Sequence, residues 1–522
     1  MKSRFRTCSR TCSRTCAPWA AIALMALPHA AAAQEPYPGF DAYVAKSMKT
    51  LKLPGAAVAI VRNDSVIYLK GYGVLATGSR TPVNEQTLFE IGSSSKAFTA
   101  TAVAMMVSDG KMAYDDLISK YLPDFRLYDP VASAQVTIRD ALVHRSGIGR
   151  GELVWLDAGT SREDIMHRVR FLKPESSFRT KFSYQNMMYL VAGEAAGKAA
   201  GSTWDDLVQS RIFTPLGMTA SVPTSRGVKG ANVATPHAME SDTASSRPPF
   251  IAENIAPAGA ILSNARDMAQ WLRFQLNDGV ANGTRLVSSV ALKETHLPQM
   301  LLGAGLGAGE QTLFNSYGMG WIVQDYRHEL VWQHGGNTPG MTAAVGMMPE
   351  KKYGVVVLSN MDHSGLPDLL MHYLFDRHLG APVRDYVADA VTRATAQRRP
   401  PVDTAPPHVN APLPLPMSAY VGTFADSLYG EATVSINDGH LEMARGIQHG
   451  TLEYWNASNF RWASNAAIGG PNGPTAFIRF EVSADNRVTG LYYGLAPDVQ
   501  LLARKSPVGG RGGRGGGADG QR

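Results

Sequence analysis

Cysteine is almost absent from this 522-residue sequence. Its three cysteines, Cys8, Cys12 and Cys16, all lie near the start of the chain. Beyond them the chain can form no disulfide, no thiolate nucleophile and no cysteine-ligated metal site. The 13 histidines show no H-E-x-x-H or comparable ligand spacing. The sequence therefore predicts no metal site and implies no cofactor.

Acidic residues are missing from residues 1–33. This segment has a head with five basic side chains, an apolar run over 17–33, and an end of three alanines. Such a pattern is typical of a secretory signal peptide. The apolar run is too short and too rich in alanine for a comfortable transmembrane helix, although an uncleaved anchor is the alternative. We expect an exported chain, periplasmic or extracellular, without stable membrane insertion.

Excess positive charge is also missing once that segment is set aside. The whole sequence has 50 basic and 44 acidic residues, a formal net charge of +6. Without the first 33 residues, the sequence has 45 basic and 44 acidic residues. Because nucleic-acid affinity depends on neutralising many phosphates, we expect no nucleic-acid partner.

Apolar runs predict a large folded region over residues 34–397. Runs at 55–62 and 341–348 each open a predicted β-hairpin, and helical patterns such as 204–214 and 265–277 lie between them. Strands at both ends with helices between them predict one α/β domain whose terminal strands share a sheet.

Proline is concentrated in residues 398–416, which predicts a stiff linker. Residues 417–505 follow, with about six short strand-like runs separated by turn signals. This pattern predicts a small antiparallel β-barrel or sandwich. Residues 506–522 are a Gly/Arg tail that we interpret as disordered.

The segment IGSSSKAFTATAV carries the first candidate chemistry. If a helix begins here, Ser93 and Lys96 lie on one face of it. A serine hydroxyl needs a base to accept its proton, and burial favours the neutral form of a lysine. A helix N-terminus also offers N–H groups to an oxyanion. The alternative is a serine N-cap followed by an exposed lysine, which is how we interpret Ser108 and Lys111 at the same spacing.

Tyr184 and Asn186 open a second helical run, FSYQNMMYLVAGE. A tyrosine is a general base only beside a cation, which Lys96 could supply. The amide of Asn186 could hydrogen-bond both the lysine and a substrate carbonyl. Tyr454 and Asn456 repeat the spacing in the C-terminal region, where we interpret them as structural.

The third candidate is His334-Gly335-Gly336, just before the strand predicted at 341–348. Two glycines allow a ligand to approach the backbone closely. The basic residue beside them could face a substrate carboxylate or the tyrosine oxygen. The alternative is an ordinary tight turn.

In order and context, these motifs resemble those of serine hydrolases of the penicillin-binding-protein and class C β-lactamase type. The resemblance covers residues 38–379 and includes the segments TIRDALVHRSGI, PAGAILSNARDMAQWL and YGMGW. It implies a β-lactamase-like or transpeptidase fold, in which an antiparallel sheet is flanked by helices and accompanied by an all-helical region. The segment beginning YVGTFADSLYGEATV resembles the lipocalin-like domain that often follows this fold.

The resemblance implies roles for the first two motifs. Ser93 would be the acylated nucleophile. Lys96 would activate it and tune Tyr184, the general acid/base. Asn186 would hold Lys96 and the substrate amide. Whether Lys96 or Tyr184 is the acylation base stays open.

For the third motif, the resemblance places His334 at the position of the third-motif base, with Gly335 and Gly336 beside the substrate backbone. The N–H groups of Ser93 and Asn337 would form the oxyanion hole. Typical β-lactamases of this type have a lysine where this chain has His334. A histidine there resembles D-aminopeptidases and DD-peptidases, and its charge varies near neutral pH.

The leading hypothesis is an exported serine hydrolase that cleaves an amide bond of a small peptide through a Ser93 acyl-enzyme. Peptides containing D-residues are implied by the family resemblance alone. A carboxylesterase acting on an ester substrate and a β-lactamase are alternatives. An alternative of another class is a penicillin-binding sensor with little turnover. A homo-oligomer formed through the C-terminal domain also stays open.

Overall fold

A computed structural model describes residues 35–156, 159–240, 242–250, 252–302, 312–397, 412–446, 448–464, 476–494 and 500–505. The predicted signal peptide, residues 398–411 of the predicted linker and the predicted tail lie outside the described residues. We call residues 35–397 the α/β region and the strands between residues 422 and 504 the barrel.

The α/β region is built on an eight-stranded antiparallel sheet with the order β2-β1-β14-β13-β12-β11-β10-β9. Its strands, with those of three two-stranded sheets, are β1 (Gly55–Arg62), β2 (Ser65–Gly73), β3 (Phe89–Glu90), β4 (His237–Glu240), β5 (Thr243–Ser246), β6 (Leu262–Ser263), β7 (Val280–Ala281), β8 (Thr284–Arg285), β9 (Met300–Leu301), β10 (Asn315–Tyr317), β11 (Ile322–Tyr326), β12 (Glu329–Thr338), β13 (Met341–Met348) and β14 (Tyr353–Ser359). β1 pairs with β14 along nearly its whole length, so the prediction that the terminal strands share a sheet is confirmed.

Helices cover both faces of this sheet. They are α1 (Phe40–Leu51), α2 (Ser95–Ser108), α3 (Pro130–Gln135), α4 (Ile138–Leu142), α5 (Glu152–Trp155), α6 (Arg162–Arg168), α7 (Asn186–Ala200), α8 (Trp204–Val208), α9 (Thr214–Leu216), α10 (Ala256–Gly259), α11 (Ala265–Leu276), α12 (Ser289–Thr295), α13 (Leu366–Leu379) and α14 (Tyr386–Ala396). Because strand side chains alternate, neighbours in β1 such as Val58 and Ala59 join two different cores. One core contains α1, α13 and α14, and the other contains α2, α7 and α11.

Between β3 and β4 the described residues form the helices α2 to α9 with no named strand among them, which confirms the predicted all-helical region. The helix predicted over 204–214 is interrupted by a π-turn at Gln209–Phe213, between α8 and α9. Among the described residues, no helix combines the length and apolar character needed to cross a bilayer.

The barrel is a closed ring of eight strands preceded by the short helix α15 (Met417–Tyr420). Its strands are β15 (Gly422–Asp426), β16 (Gly430–Asn437), β17 (His440–Arg445), β18 (Gln448–Asn456), β19 (Asn459–Ser464), β20 (Ala476–Val482), β21 (Val488–Tyr493) and β22 (Gln500–Arg504). Pairing of β15 with β22 closes the ring. The sequence predicted about six strands, and the barrel alternative is the one confirmed.

Candidate active site

Ser93 lies on a tight 3-10 turn, Gly92–Ser94, immediately before α2. Gly92 has φ +50°, and a Cβ on it would lie 2.7 Å from the backbone nitrogen of Asn337. A Cβ on Gly336 would lie 1.9 Å from the carbonyl oxygen of Ile91. Both positions therefore need glycine, and together they bring the turn against β12. The backbones of Ser93 and Asn337 consequently border the same space.

The hydroxyl of Ser93 is held between two polar side chains. Lys96 Nζ lies 2.9 Å from Ser93 Oγ, and the hydroxyl of Tyr184 lies 2.8 Å from it. Lys96 Nζ also donates to Asn186 Oδ1 at 2.7 Å and to the carbonyl of Ala258 at 2.8 Å. The structure thus brings together all four residues of the first two predicted motifs.

Burial shifts the protonation of this pair. It lowers the pKa of Lys96 well below 10.5, with a smaller raising effect of Glu152 and a smaller lowering effect of Arg150. It raises the pKa of Tyr184 far above 10.0, against the lowering effect of its hydrogen bond with Ser93. Both groups are therefore shifted toward their neutral forms. This differs from the expectation that a lysine cation makes Tyr184 a base.

The third motif precedes the strand predicted at 341–348, which is β13, and itself lies inside the strand before it. His334, Gly335 and Gly336 belong to β12, which pairs with β13 from Trp332 to Thr338. β12 pairs with β11 only as far as Gln333.

The ring of His334 is buried, and its Nδ1 lies 2.6 Å from the carbonyl oxygen of Gly335. Since a carbonyl only accepts, Nδ1 carries the proton, and Nε2 accepts from the hydroxyl of Tyr317 at 3.0 Å. Burial, and then the charge of Lys96, lowers the pKa of His334 to about 4. His334 is therefore neutral at pH 7 and is directed at Tyr317.

Arg150 and Glu152 form a wall of the site that sequence reasoning missed. Glu152 begins α5, and its Oε1 lies 2.6 Å from Arg150 Nη2. Its Oε2 accepts from Asn186 Nδ2 at 3.4 Å. The guanidinium of Arg150 lies 5.2 Å from the centre of the Tyr184 ring. An Arg-x-Glu pair in an irregular segment has no periodic signature, so no local sequence signal would have identified it.

His144 packs against the aromatic rings of the same site. It is fully buried with φ +59°, and its ring centre lies 4.4 Å from that of Tyr184 and 4.8 Å from that of Tyr317. Its Nδ1 accepts the backbone N–H of Gln185 at 3.0 Å. His144, Tyr317 and Ala258 belong to the three accessory segments that carried the family resemblance. That resemblance was the signal that could have found them.

Within the described ranges, no three His, Cys, Asp or Glu side chains lie together in a way that could hold a metal ion. The arrangement around Ser93 brings an amine and a phenol within hydrogen-bonding distance of its hydroxyl.

Residues 40–396 match the family described as beta-lactamase, and residues 406–505 match a domain of unknown function, DUF3471. The unguisins hydrolase ungD of Aspergillus violaceofuscus is 28% identical over 446 residues, covering 78% of each chain. Protein flp of Staphylococcus aureus is 25% identical over 337 residues, covering 64% of each chain.

Two solved structures share the fold. An octameric penicillin-binding protein homologue from Pyrococcus abyssi has a TM-score of 0.59 at 21% identity, covering 89% of this chain and 98% of that one. A class C β-lactamase from Rhodobacter sphaeroides has a TM-score of 0.54 at 20% identity, covering 66% of this chain and 100% of that one. Since the family match spans well over half of the sequence, the chain belongs to the beta-lactamase family and is a serine hydrolase.

Proposed function

We propose that this hydrolase cleaves amide bonds of small peptides through an acyl-enzyme on Ser93. The observation that carries the proposal is the placement of Ser93 Oγ, 2.9 Å from Lys96 Nζ and 2.8 Å from the Tyr184 hydroxyl. A neutral amine and a neutral phenol at one oxygen are a proton acceptor and a proton donor. These are the two groups that acyl transfer requires.

In this proposal Lys96 is the acylation base. Its neutral amine accepts the proton of Ser93 as Oγ bonds to the substrate carbonyl carbon. The carbonyl of Ala258 and Oδ1 of Asn186, both acceptors, stabilise the ammonium that forms. As the C–N bond breaks, the proton passes from Lys96 through the hydroxyl of Tyr184 to the leaving amine.

In this proposal the N–H groups of Ser93 and Asn337 bind the oxyanion. The close approach of the Gly92–Ser94 turn to β12 supports this placement, because a Cβ at Gly336 would lie 3.1 Å from the nitrogen of Ser93. Fixed backbone donors of this kind stabilise the charge that develops in the transition state.

The edge of β12 that no longer pairs with β11 favours a peptide substrate, although the carbonyl of His334 there already accepts from Ser94 Oγ. From His334 to Thr338 the strand pairs with β13 but no longer with β11. An extended peptide can hydrogen-bond to such an edge as an added strand. We include peptides with D-residues, because the His-Gly-Gly motif resembles that of D-aminopeptidases and DD-peptidases.

His334 argues against β-lactams as the main substrates. With a pKa of about 4 it gives β12 no positive charge at pH 7 to hold a β-lactam carboxylate. The similarity to a hydrolase, ungD, also favours turnover over a sensor that stays acylated.

The test combines labelling with a rate screen. Ser93→Ala should abolish labelling by a serine-reactive phosphonate, whereas Ser108→Ala, which changes the other Ser-x-x-Lys, should label normally. D-amino-acid anilides should turn over faster than p-nitrophenyl esters or a chromogenic cephalosporin. Persistent labelling of Ser93→Ala at another serine would refute the nucleophile. Faster ester turnover, faster cephalosporin turnover or a lasting penicillin adduct by intact mass would favour the carboxylesterase, the β-lactamase or the sensor in turn.

We also propose that the enzyme acts after export and self-associates through the barrel. The pattern of residues 1–33 supports export. Apolar side chains of the barrel that are more than a third exposed, such as Ile436, Phe477 and Leu501, support self-association, as does the octameric homologue. Cell fractionation and light scattering test these points, and a cytoplasmic or a monomeric enzyme would refute them.

A further inference from the structure

Among the described residues of the barrel, Arg445 is the only charged side chain that is buried. It ends β17 and is 2% exposed. Its Nε and Nη2 donate to the carbonyl of Tyr429 within the barrel, at 3.1 and 2.9 Å. Nη2 also donates to the carbonyl of Leu153, in α5 of the α/β region, at 3.1 Å. One guanidinium therefore joins the two regions.

A second contact lies beside the first. Gly430, at the start of β16, has φ +78°, and a Cβ on it would lie 3.1 Å from Nη1 of Arg168, the last residue of α6. The charges of Arg445 and Arg168 both act on Asp426, which is part of the same turn. The barrel thus meets α5 and α6 through the loop between β15 and β16 and through the end of β17.

The helix that Arg445 contacts also carries Glu152, one of the two residues that form the wall of the active site. α5 has four residues, too few to be stable without tertiary contacts. Its first residue, Glu152, accepts from Asn186 Nδ2 at 3.4 Å, and Asn186 Oδ1 in turn accepts from Lys96 at 2.7 Å. At its other end, the carbonyl of Trp155 accepts from Asn254 Nδ2 at 2.8 Å.

We propose that Arg445 is a positioning residue for the active site, supplied by the barrel. By holding the Leu153 carbonyl, it keeps α5 where Glu152 contacts Asn186 and thereby orients Lys96 toward Ser93. This inference rests on the proposed roles of Ser93 and Lys96. It gives the domain of unknown function a part in catalysis without a contact to substrate.

Arginine suits this position better than lysine. Its planar fork reaches two carbonyls in two regions at once, whereas an ammonium is a point donor. The rings of Tyr429 and Tyr493 lie 5.8 and 5.2 Å from the guanidinium and stabilise its charge.

The experiment uses the full chain with Arg445→Gln, Arg445→Lys and a matched control, Arg504→Gln. Arg504 also donates to backbone carbonyls, those of Ala419, Val421 and Val488, but all three belong to the barrel or to α15 and its cap. The measurements are the rate at which the phosphonate labels Ser93, the dependence of that rate on pH, and hydrogen exchange of the segment 150–156.

Arg445→Gln should lower the rate of phosphonate labelling by about tenfold to hundredfold, because small displacements of catalytic groups cost that much. Its rate should also rise at lower pH than in the wild type, because Glu152, which raises the pKa of Lys96, moves away. Exchange of 150–156 should accelerate. Arg445→Lys should give values between those of the wild type and Arg445→Gln. Arg504→Gln should match the wild type in labelling rate, pH profile and exchange.

If Arg445→Gln does not fold, Arg445→Lys decides, since it keeps the charge and one donor. Wild-type exchange and a wild-type pH profile in Arg445→Lys would overturn the inference, as would equal effects of Arg504→Gln. If the wild type is not labelled at Ser93, the proposed function fails. Exchange of 150–156 still tests the Arg445 contact in that case, because it needs no catalysis.

Discussion

The α/β region and the barrel differ in what they bury. The α/β region buries groups whose protonation is thereby shifted: Lys96, His144, His334, His296 and Glu90. The described core of the barrel is aliphatic and aromatic, with edge-to-face pairs such as Phe460–Phe480 and Tyr420–Phe460 at 5.3 and 5.2 Å. The one charge buried there, Arg445, is the group that reaches the active-site wall. The difference teaches that the α/β region carries the groups of the active site, whereas the barrel, through Arg445, positions them.

The size of each region explains the division. Burying an amine without its charge still costs free energy unless its N–H groups are hydrogen-bonded. Lys96 meets that requirement with acceptors from α7 and α10. A single small barrel has fewer elements to supply such partners around one point, and a smaller apolar core to offset any deficit.

The largest effect is expected from removing the buried amine. Lys96→Met keeps the shape of the side chain but leaves Ser93 without its base, so acylation should fall by about 10³-fold or more, roughly 4 kcal/mol. In the wild type the rate should rise with pH through the lowered pKa of Lys96, since only the neutral amine accepts a proton. The variant should lose that rise. Stopped-flow phosphonate labelling between pH 5 and 10 measures both.

Lys111→Met is the matched control, because Lys111 has the same spacing from a serine but is exposed after the end of α2. If Lys96→Met retained a rate within tenfold of the wild type and the same pH profile, Lys96 would not be the base. Tyr184 would then be the remaining candidate, as the sequence left open.

Sequence reasoning identified the reacting groups and Asn186, which holds Lys96, but it missed Arg150, Glu152 and Arg445. Ser93, Lys96, Tyr184 and Asn186 were found because two short motifs fix their spacing on helix starts, and the structure brings them together. The placement of His334 in a strand was not foreseen, because two glycines indicate a turn when read locally. Gly336 instead allows β12 to approach Ile91.

The barrel shows a second limit of prediction from the sequence, which concerns contacts between distant residues. Its fold could be predicted from turn signals and short alternating runs, although the closing strands β15 and β22 have five residues each and gave weak patterns. The contact between Arg445 and Leu153 joins residues 292 positions apart. Only the docking of one folded region on another produces it, and no local pattern encodes it.

The stability of the two regions should respond differently to acid. Burial lowers the pKa of His296 to about 3, and its ring stacks on Trp332 at 3.7 Å. Below about pH 6.5 the unfolded chain binds a proton there that the folded chain does not, so stability falls by about 1.4 kcal/mol per pH unit down to about pH 3. His296→Phe keeps an aromatic ring and should remove this slope. Urea unfolding between pH 7 and 4, followed by hydrogen exchange of each region, measures it.

His334 and His144 contribute with the same sign, and Glu90, whose pKa burial raises to about 7, contributes with the opposite sign. These groups are unchanged in the variant, so they cancel in the comparison. The control is His440→Phe on the barrel, where the side chain is exposed. Equal slopes in the wild type and His296→Phe would contradict a buried neutral histidine.

The smallest effect is expected at Glu152, the first residue of the helix that Arg445 contacts. Glu152→Gln keeps an oxygen for Asn186 Nδ2 but removes the negative charge that raises the pKa of Lys96. A less basic amine is deprotonated at lower pH and accepts the proton of Ser93 less readily. The rise of the acylation rate should therefore move to lower pH, and the plateau should fall by about three- to tenfold. Glu294→Gln breaks a similar pair, with Arg139 at 2.6 Å, outside the set of charges that act on Lys96. It should leave the profile unchanged. If Glu152→Gln shifted the profile while Arg445→Gln did not, the charge of α5 would matter but its attachment to the barrel would not, and the two regions would be independent after all.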